Sequence, residues 1–211
     1  MDAKFNKTAE QVVDHNIHNY IDNAALWFVN IIKKKIADND EEGLTFTCMA
    51  AGTMLAFSFE AYLNVIGAKK LVLWNEWDDY DTKFNKVFQH LKIAPDWGRR
   101  PYSSVSAMKR LRDALAHGKP EKVAKSKDFV DKANGQKGKE IDMTADWQKL
   151  CTPDMVTHAY DDITEVWNDM QKTSGIDPMD LATQGELTVT TRDEFVPQSK
   201  PVASSPNIKR K

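Results

Sequence analysis

The feature of this sequence that most constrains its fold is an apolar segment from about Leu44 to Ala68. When the segment is wound as an α-helix, apolar residues face most sides, which is typical of a helix at the centre of a bundle. Its most apolar part, Phe46 to Leu63, is interrupted by polar residues and falls short of the roughly 20 apolar residues that a membrane span needs. We therefore predict a buried core helix in a cytoplasmic protein.

Four further segments carry apolar residues at every third or fourth position, which is the spacing of one helix face. The first opens with the capping box Thr8–Gln11, and the last opens with a threonine cap followed by a proline. Five such helices predict an all-α fold, an antiparallel helical bundle of about five helices. Besides the central segment, the predicted helices run from Thr8 to about Ala37, from about Thr82 to Leu91, from just after Pro101 to Gly118, and from Thr152 to Gly175.

The bundle is predicted to occupy residues 1–175, with two parts of the chain outside the regular helices. Residues 119–151 are rich in Lys, Gly and Asp and have no strong periodicity, so we expect a long irregular loop. Residues 176–211 contain fewer apolar residues than the helical segments and end in basic residues. This composition predicts a flexible C-terminal tail. The best candidate strand, Leu187–Thr190, is short, and we predict no sheet.

The composition limits the kinds of site to expect. A net charge of -2 gives no global attraction to nucleic acid, so any such contact needs a local basic patch. Cys48 and Cys151 lack the spacing of metal ligands. His15 and His18 lie three apart on the first predicted helix without an accompanying acidic partner, and we interpret them as surface residues. We expect no metal and no cofactor.

The candidate chemistry lies in the segment from Met108 to Gly118, where Arg112, Asp113 and His117 form an R-D-x-x-x-H pattern. Residues four apart in a helix lie on one face, which places Asp113 and His117 one turn apart. The side chain of histidine exchanges protons near neutral pH, and arginine grips a phosphate with two parallel hydrogen bonds. The pattern suits phosphodiester chemistry. The alternative is a helix end stabilised by cationic groups and capped by Gly118.

A second candidate residue is Glu60, which follows two phenylalanines within the central apolar segment. An unpaired buried carboxylate costs several kcal/mol, so Glu60 needs a cationic partner. Arg112 and Arg110 are the natural candidates, and Asn64 lies one turn further on the same face. A structural ion pair is a more natural role for Glu60 than direct catalysis.

Glu60 in the central helix, followed by the segment from Arg112 to Gly118, resembles the HEPN superfamily. That superfamily is defined by an R-x4-6-H motif late in a helical bundle, often with a polar residue directly after the arginine. Here the motif is R-x4-H, and Asp113 stands where the family more often has asparagine. The resemblance covers about residues 13–172.

The resemblance implies a metal-independent endoribonuclease that acts as a homodimer, with two such motifs facing each other in one cleft. The ribose 2′-OH attacks the adjacent phosphate and leaves a 2′,3′-cyclic phosphate. It implies His117 as general acid and base, Arg112 as the group that stabilises charge on the phosphate, and Asp113 as the residue that orients His117 or RNA. Glu60, with Asn64, would support Arg112. RNA contacts would come from Lys109, Arg110, Lys119 and Lys122, although lysines after His117 are also common in solvated loops.

Members of this superfamily commonly serve in toxin–antitoxin and anti-phage systems, which implies an antitoxin or another defence protein as a partner. Other members are not catalytic and work as helical interaction or nucleotide-binding modules. In that alternative, Arg112 and His117 are structural or bind a nucleotide. A DNA-binding helical regulator is disfavoured, because no helix shows the basic recognition face that such proteins need.

Overall fold

The structure, a computed structural model, describes residues 6–126 and 141–192. These residues form a helical unit, His15–Thr183, and a separate two-stranded ribbon. The elements in chain order are β1 (Asn6–Asp14), α1 (Ile17–Ala37), α2 (Leu44–Lys70), α3 (Tyr80–Leu91), α4 (Tyr102–His117), α5 (Asp146–Leu150), α6 (Pro153–Ser174), a 3-10 helix (Pro178–Leu181) and β2 (Gln184–Arg192).

The apolar helix α2 lies at the centre of the helical unit, as its sequence predicts. It packs against α1, α3, α4 and α6, and Leu55, Phe59 and Leu63 on it are fully buried. In the described part of the chain it is also the one helix long and apolar enough to cross a membrane, a property shared by core helices of soluble proteins. Its burial by four neighbouring helices favours the core-helix interpretation. The described residues are mostly helical, as predicted, but they form six α-helices and a two-stranded sheet where the sequence predicted about five helices and no sheet.

The helix that carries the candidate motif, α4, packs tightly against α2. At Gly52 a Cβ atom would lie 2.5 Å from Cδ2 of Leu111, so any other residue here would force the buried Leu111 side chain to move. Leu111 is fully buried, as is Met108 one turn earlier. The helix ends as predicted at Gly118, which has a φ of 53° and whose N–H donates to the carbonyl of Ala114.

The helix α6 is fixed at its start and in its middle. The Thr152 hydroxyl accepts from the N–H of Met155 at 3.3 Å, which confirms the predicted cap. Further along, the buried carboxylate of Asp162 accepts two hydrogen bonds from Arg100, at 2.7 and 2.8 Å, and a third from Ser104. These contacts join α6 to the first turn of α4 and to the residues before it, and so fix the helix that carries the motif from a second side.

The predicted start of the first helix is wrong. Residues Asn6–Asp14 form β1, which pairs antiparallel with β2 from Asn6↔Arg192 to Asp14↔Gln184, and α1 begins only at Ile17. The threonine and valines of this segment suit an extended backbone. Because the partner strand lies more than 160 residues away, nothing in the local pattern of Thr8–Gln11 indicates the pairing.

The residues predicted as a flexible tail, 176–211, contain the 3-10 helix and β2, and residues 193–211 lie outside the described part. Asn16 and Asn19 donate from their side chains to the carbonyls of Ala182 and Leu181, at 2.7 and 2.9 Å, and so hold the end of the 3-10 helix against the start of α1. In the predicted loop 119–151, residues 119–126 and 141–145 are irregular, α5 adds one short helix, and residues 127–140 lie outside the described part.

Candidate functional site

Arg112 is held at the surface of the helical unit by two carboxylates. Its Nη2 donates to Oε2 of Glu60 at 3.2 Å, and its Nη1 lies 3.2 Å from Oδ1 of Asp113. The guanidinium carbon lies 5.9 Å from the ring centroid of Phe57, within the range of a cation–π contact. The Arg112 side chain is 22% exposed, so a cation held in place by two carboxylates is partly open to solvent.

Glu60 binds a second cation that the sequence reasoning missed. Nζ of Lys83, a residue only 4% exposed, donates to Oε1 of Glu60 at 3.0 Å. The predicted partner Arg112 is confirmed, whereas Arg110 is exposed and takes no part in the pair. One signal for Lys83 was available: it lies on the apolar face of α3, one turn before the buried Val87.

Asp113 faces cations and not His117. Its Oδ2 accepts from Nζ of Lys109 at 3.1 Å, and its Oδ1 faces Arg112. The ammonium of Lys109 also lies 5.3 Å from the ring centroid of Tyr80, and burial, followed by the charge of Glu60, raises the pKa of the Tyr80 hydroxyl. The structure therefore brings Arg112 and Asp113 together with Glu60.

His117 is exposed and, among the residues described, has no hydrogen-bond or ion-pair partner for its side chain. It lies at the edge of a pocket of about 650 Å³, a size in the range of small-ligand sites. Asp113 and Lys119 reach the same pocket, and Trp147 of α5 forms one wall. The remaining lining residues are Met49, Ala114, Leu115, Gly118, Pro120 and Glu121.

Of the four residues predicted to contact RNA, one lines this pocket. Lys119 lines it, Lys109 is paired with Asp113, and Arg110 and Lys122 are exposed without lining it. Asn64 lies one turn after Glu60 on α2, where its Oδ1 is buried without a hydrogen-bond partner in the described residues.

The interpretation of His18 as a surface residue is wrong, whereas Cys48 lies in the core as predicted. His18, interpreted as a surface residue, is only 3% exposed and packs against Tyr62 and Trp167, because it lies on the buried face of α1 together with Ala25, Val29 and Ile32. Cys48 and Cys151 are buried thiols, and burial raises the pKa of each to about 11. No group of three or more potential metal ligands occurs among residues 6–126 and 141–192.

Comparisons of the chain with family models, with curated proteins and with solved structures find no match in any of the three.

Proposed function

We propose that the chain is a HEPN-like, metal-independent endoribonuclease that works in the cytoplasm as a homodimer. The observation that carries the proposal is the end of α4, where Arg112 is fixed by Glu60 and Asp113 and is followed by an unpaired, exposed His117. A fixed cation can stabilise the charge on the phosphate, and an accessible histidine can move a proton, and both favour phosphodiester cleavage through the ribose 2′-OH.

In this mechanism His117 takes the proton of the 2′-OH or returns one to the departing 5′-oxygen. Arg112 stabilises the charge that develops on the phosphate, because its guanidinium is held in place before substrate binds. The cluster contains three cations, Arg112, Lys83 and Lys109, against the carboxylates of Glu60 and Asp113, which leaves one net positive charge. The contacts of Asp113 support a role in positioning Arg112.

One chain supplies one such motif, so cleavage that needs both an acid and a base draws the second histidine from a second copy. The cleft would then contain two Arg112 and two His117 side chains related by a two-fold axis. By the same resemblance we propose a toxin-like or anti-phage setting, with an antitoxin or another defence protein as regulator.

The first experiment is an RNA cleavage assay in EDTA that compares His117→Ala with His90→Ala. His90 is the matched control, because it is also an exposed histidine in the last turn of a helix. Loss of a general acid or base costs about 10²–10⁴-fold in rate. We expect that loss for His117→Ala alone, with its dimer and melting temperature unchanged. Equal cleavage by both variants, or no cleavage by the wild type, contradicts the proposal.

A non-catalytic helical module is the second candidate, and one observation favours it. Two nitrogens of Arg112 are engaged by carboxylates, and its Nε is buried without a partner in the described residues. Such enclosure is expected of an arginine whose role is to hold α4 on α2. In that case Arg112 contributes to stability alone, and variants of His117 change no activity.

A further inference from the structure

A second cavity of about 300 Å³ lies within the helical unit, between α1, α6 and the 3-10 helix. None of its lining residues belongs to the cluster around Arg112. Its lining is mostly polar for so small a space, with a histidine, an aspartate, three carboxamides and one indole. The lining residues are His18, Asn19, Asp22, Asn23, Trp167, Gln171, Pro178, Leu181 and Ala182.

One wall of the cavity is formed by the end of the 3-10 helix, which is hydrogen-bonded to side chains at the start of α1. Asn19 donates its amide N–H to the carbonyl of Leu181 at 2.9 Å, and Asn16 donates to that of Ala182 at 2.7 Å. The side-chain nitrogen of Asn19 donates to this wall, and its side-chain carbonyl oxygen remains available as an acceptor. The 3-10 segment that forms the wall carries two further acids, Asp177 and Asp180.

The carboxylate of Asp22, which lines the cavity, is oriented by Tyr62, which does not line it. Tyr62 stacks on Trp167 with ring centroids 4.2 Å apart, and its hydroxyl donates to Oδ1 of Asp22 at 2.5 Å. No hydrogen bond of the described residues engages the other oxygen of Asp22. The carboxylate is therefore oriented and retains an acceptor for a ligand.

His18 adds an unpartnered polar group to the same cavity. The residue is only 3% exposed, and its Nε2 is buried with no hydrogen-bond partner in the part of the chain that is described. Burial lowers the pKa of His18; Asp22 raises it, and Lys69 lowers it further. A buried polar group without a hydrogen-bond partner is unfavourable, so in a native protein it calls for an explanation, which a bound ligand would supply.

We propose that this cavity binds a small organic cation carrying a primary ammonium or guanidinium group. The free carboxylate oxygen of Asp22 and the carbonyl oxygen of Asn19 accept its N–H groups, and the indole of Trp167 also lines the space. The volume is at the lower end for ligand sites, which suits a molecule of a few carbon atoms.

The test uses three probes with the same four-carbon chain: putrescine, 1,4-butanediol and succinate. Calorimetric titration of the full chain should show binding of putrescine and neither of the other two. Asp22→Asn keeps an acceptor for Tyr62 and removes the charge, so it should weaken putrescine binding by about tenfold or more. Asp161→Asn, on an exposed site of α6, is the matched control and should bind as the wild type does.

A second variant protects the test against an unfolded Asp22→Asn protein. Asn23 is exposed at the mouth of the cavity, and Asn23→Lys places an ammonium group there without disturbing a buried contact. It should abolish putrescine binding and leave the melting temperature unchanged. Preference for succinate, no binding of putrescine at millimolar concentration, or binding unaffected by both variants overturns the proposal.

Discussion

Nη2 of Arg112 donates to Oε2 of Glu60 at 3.2 Å and so joins two residues that are 52 positions apart in the chain. This contact fixes the last two turns of α4, which end in His117, to the central helix α2. The same arginine therefore holds α4 against α2 and is also the proposed phosphate-binding group. Variants of it must be judged by stability and by activity together.

Arg112→Ala and Arg112→Lys separate those two roles. After Arg112→Ala, Glu60 keeps Lys83 and Asp113 keeps Lys109, so we expect a moderate loss of about 1–2 kcal/mol in the free energy of unfolding. Lysine restores the charge without the planar fork of donors, so Arg112→Lys should recover most of the stability and little of the RNA cleavage.

Chemical denaturation and the cleavage assay, on the same preparations, measure the two effects. If Arg112→Lys cleaves RNA as fast as the wild type, the guanidinium has no catalytic part. If neither variant changes cleavage while both lower stability, the non-catalytic alternative is supported.

Glu60→Gln should destabilise the fold more than Arg112→Ala does. The change leaves the ammonium of Lys83, which is 5% exposed, without its carboxylate. Breaking a buried ion pair costs about 3–5 kcal/mol, and the 26% exposure of Glu60 reduces the expected loss to about 2–3 kcal/mol.

The double variant Glu60→Gln with Lys83→Met is the control, because it removes the stranded charge and retains a side chain of similar length. Urea denaturation should show that it is more stable than Glu60→Gln alone. A double variant no more stable than Glu60→Gln alone would show that the stranded ammonium of Lys83 is not the cause of the loss.

Because His18 is buried, we expect the free energy of unfolding to fall as the pH is lowered. Burial lowers the pKa of His18 in the folded state below its ordinary value of 6.5, so the unfolded chain takes up the proton first. Stability is then greatest above about pH 6.5 and is lost as the pH falls from that value toward the folded-state pKa.

The free energy of unfolding, measured by urea denaturation between pH 7.5 and pH 5, tests this. His18→Gln should flatten the decline relative to the wild type, and His15→Gln, an exposed neighbour, should leave it unchanged. An identical pH profile for all three proteins refutes the assignment of the decline to His18.

The helices were predictable where local sequence determines them. The apolar run of α2, the Thr152 cap and the glycine at position 118 each act within a few residues, and the structure confirms all three. The Glu60–Arg112 pair was predictable on physical grounds, because a carboxylate in an apolar helix needs a cation, and an arginine in a later helix is a suitable one.

The parts that failed depend on distant partners. The ribbon of β1 and β2 joins the two ends of the described chain, and neither strand has a pattern strong enough to identify it alone. Lys83 and His18 are polar residues turned inward by tertiary packing, and their spacing gives only weak signs of burial. The contacts of Asp113 with Arg112 and Lys109 are local, but they depend on side-chain direction, which residue spacing alone does not give.

The central claim is that this chain cuts RNA through attack by the ribose 2′-OH, and the ends of the cleaved RNA test it most directly. Mass spectrometry of fragments made in EDTA should find 2′,3′-cyclic phosphate and 5′-hydroxyl ends. An RNA with 2′-deoxyribose at the cut nucleotide should remain intact, as should the normal RNA with His117→Ala. Fragments with 3′-hydroxyl and 5′-phosphate ends, cleavage of the deoxy-substituted RNA, or activity abolished by EDTA would contradict the account.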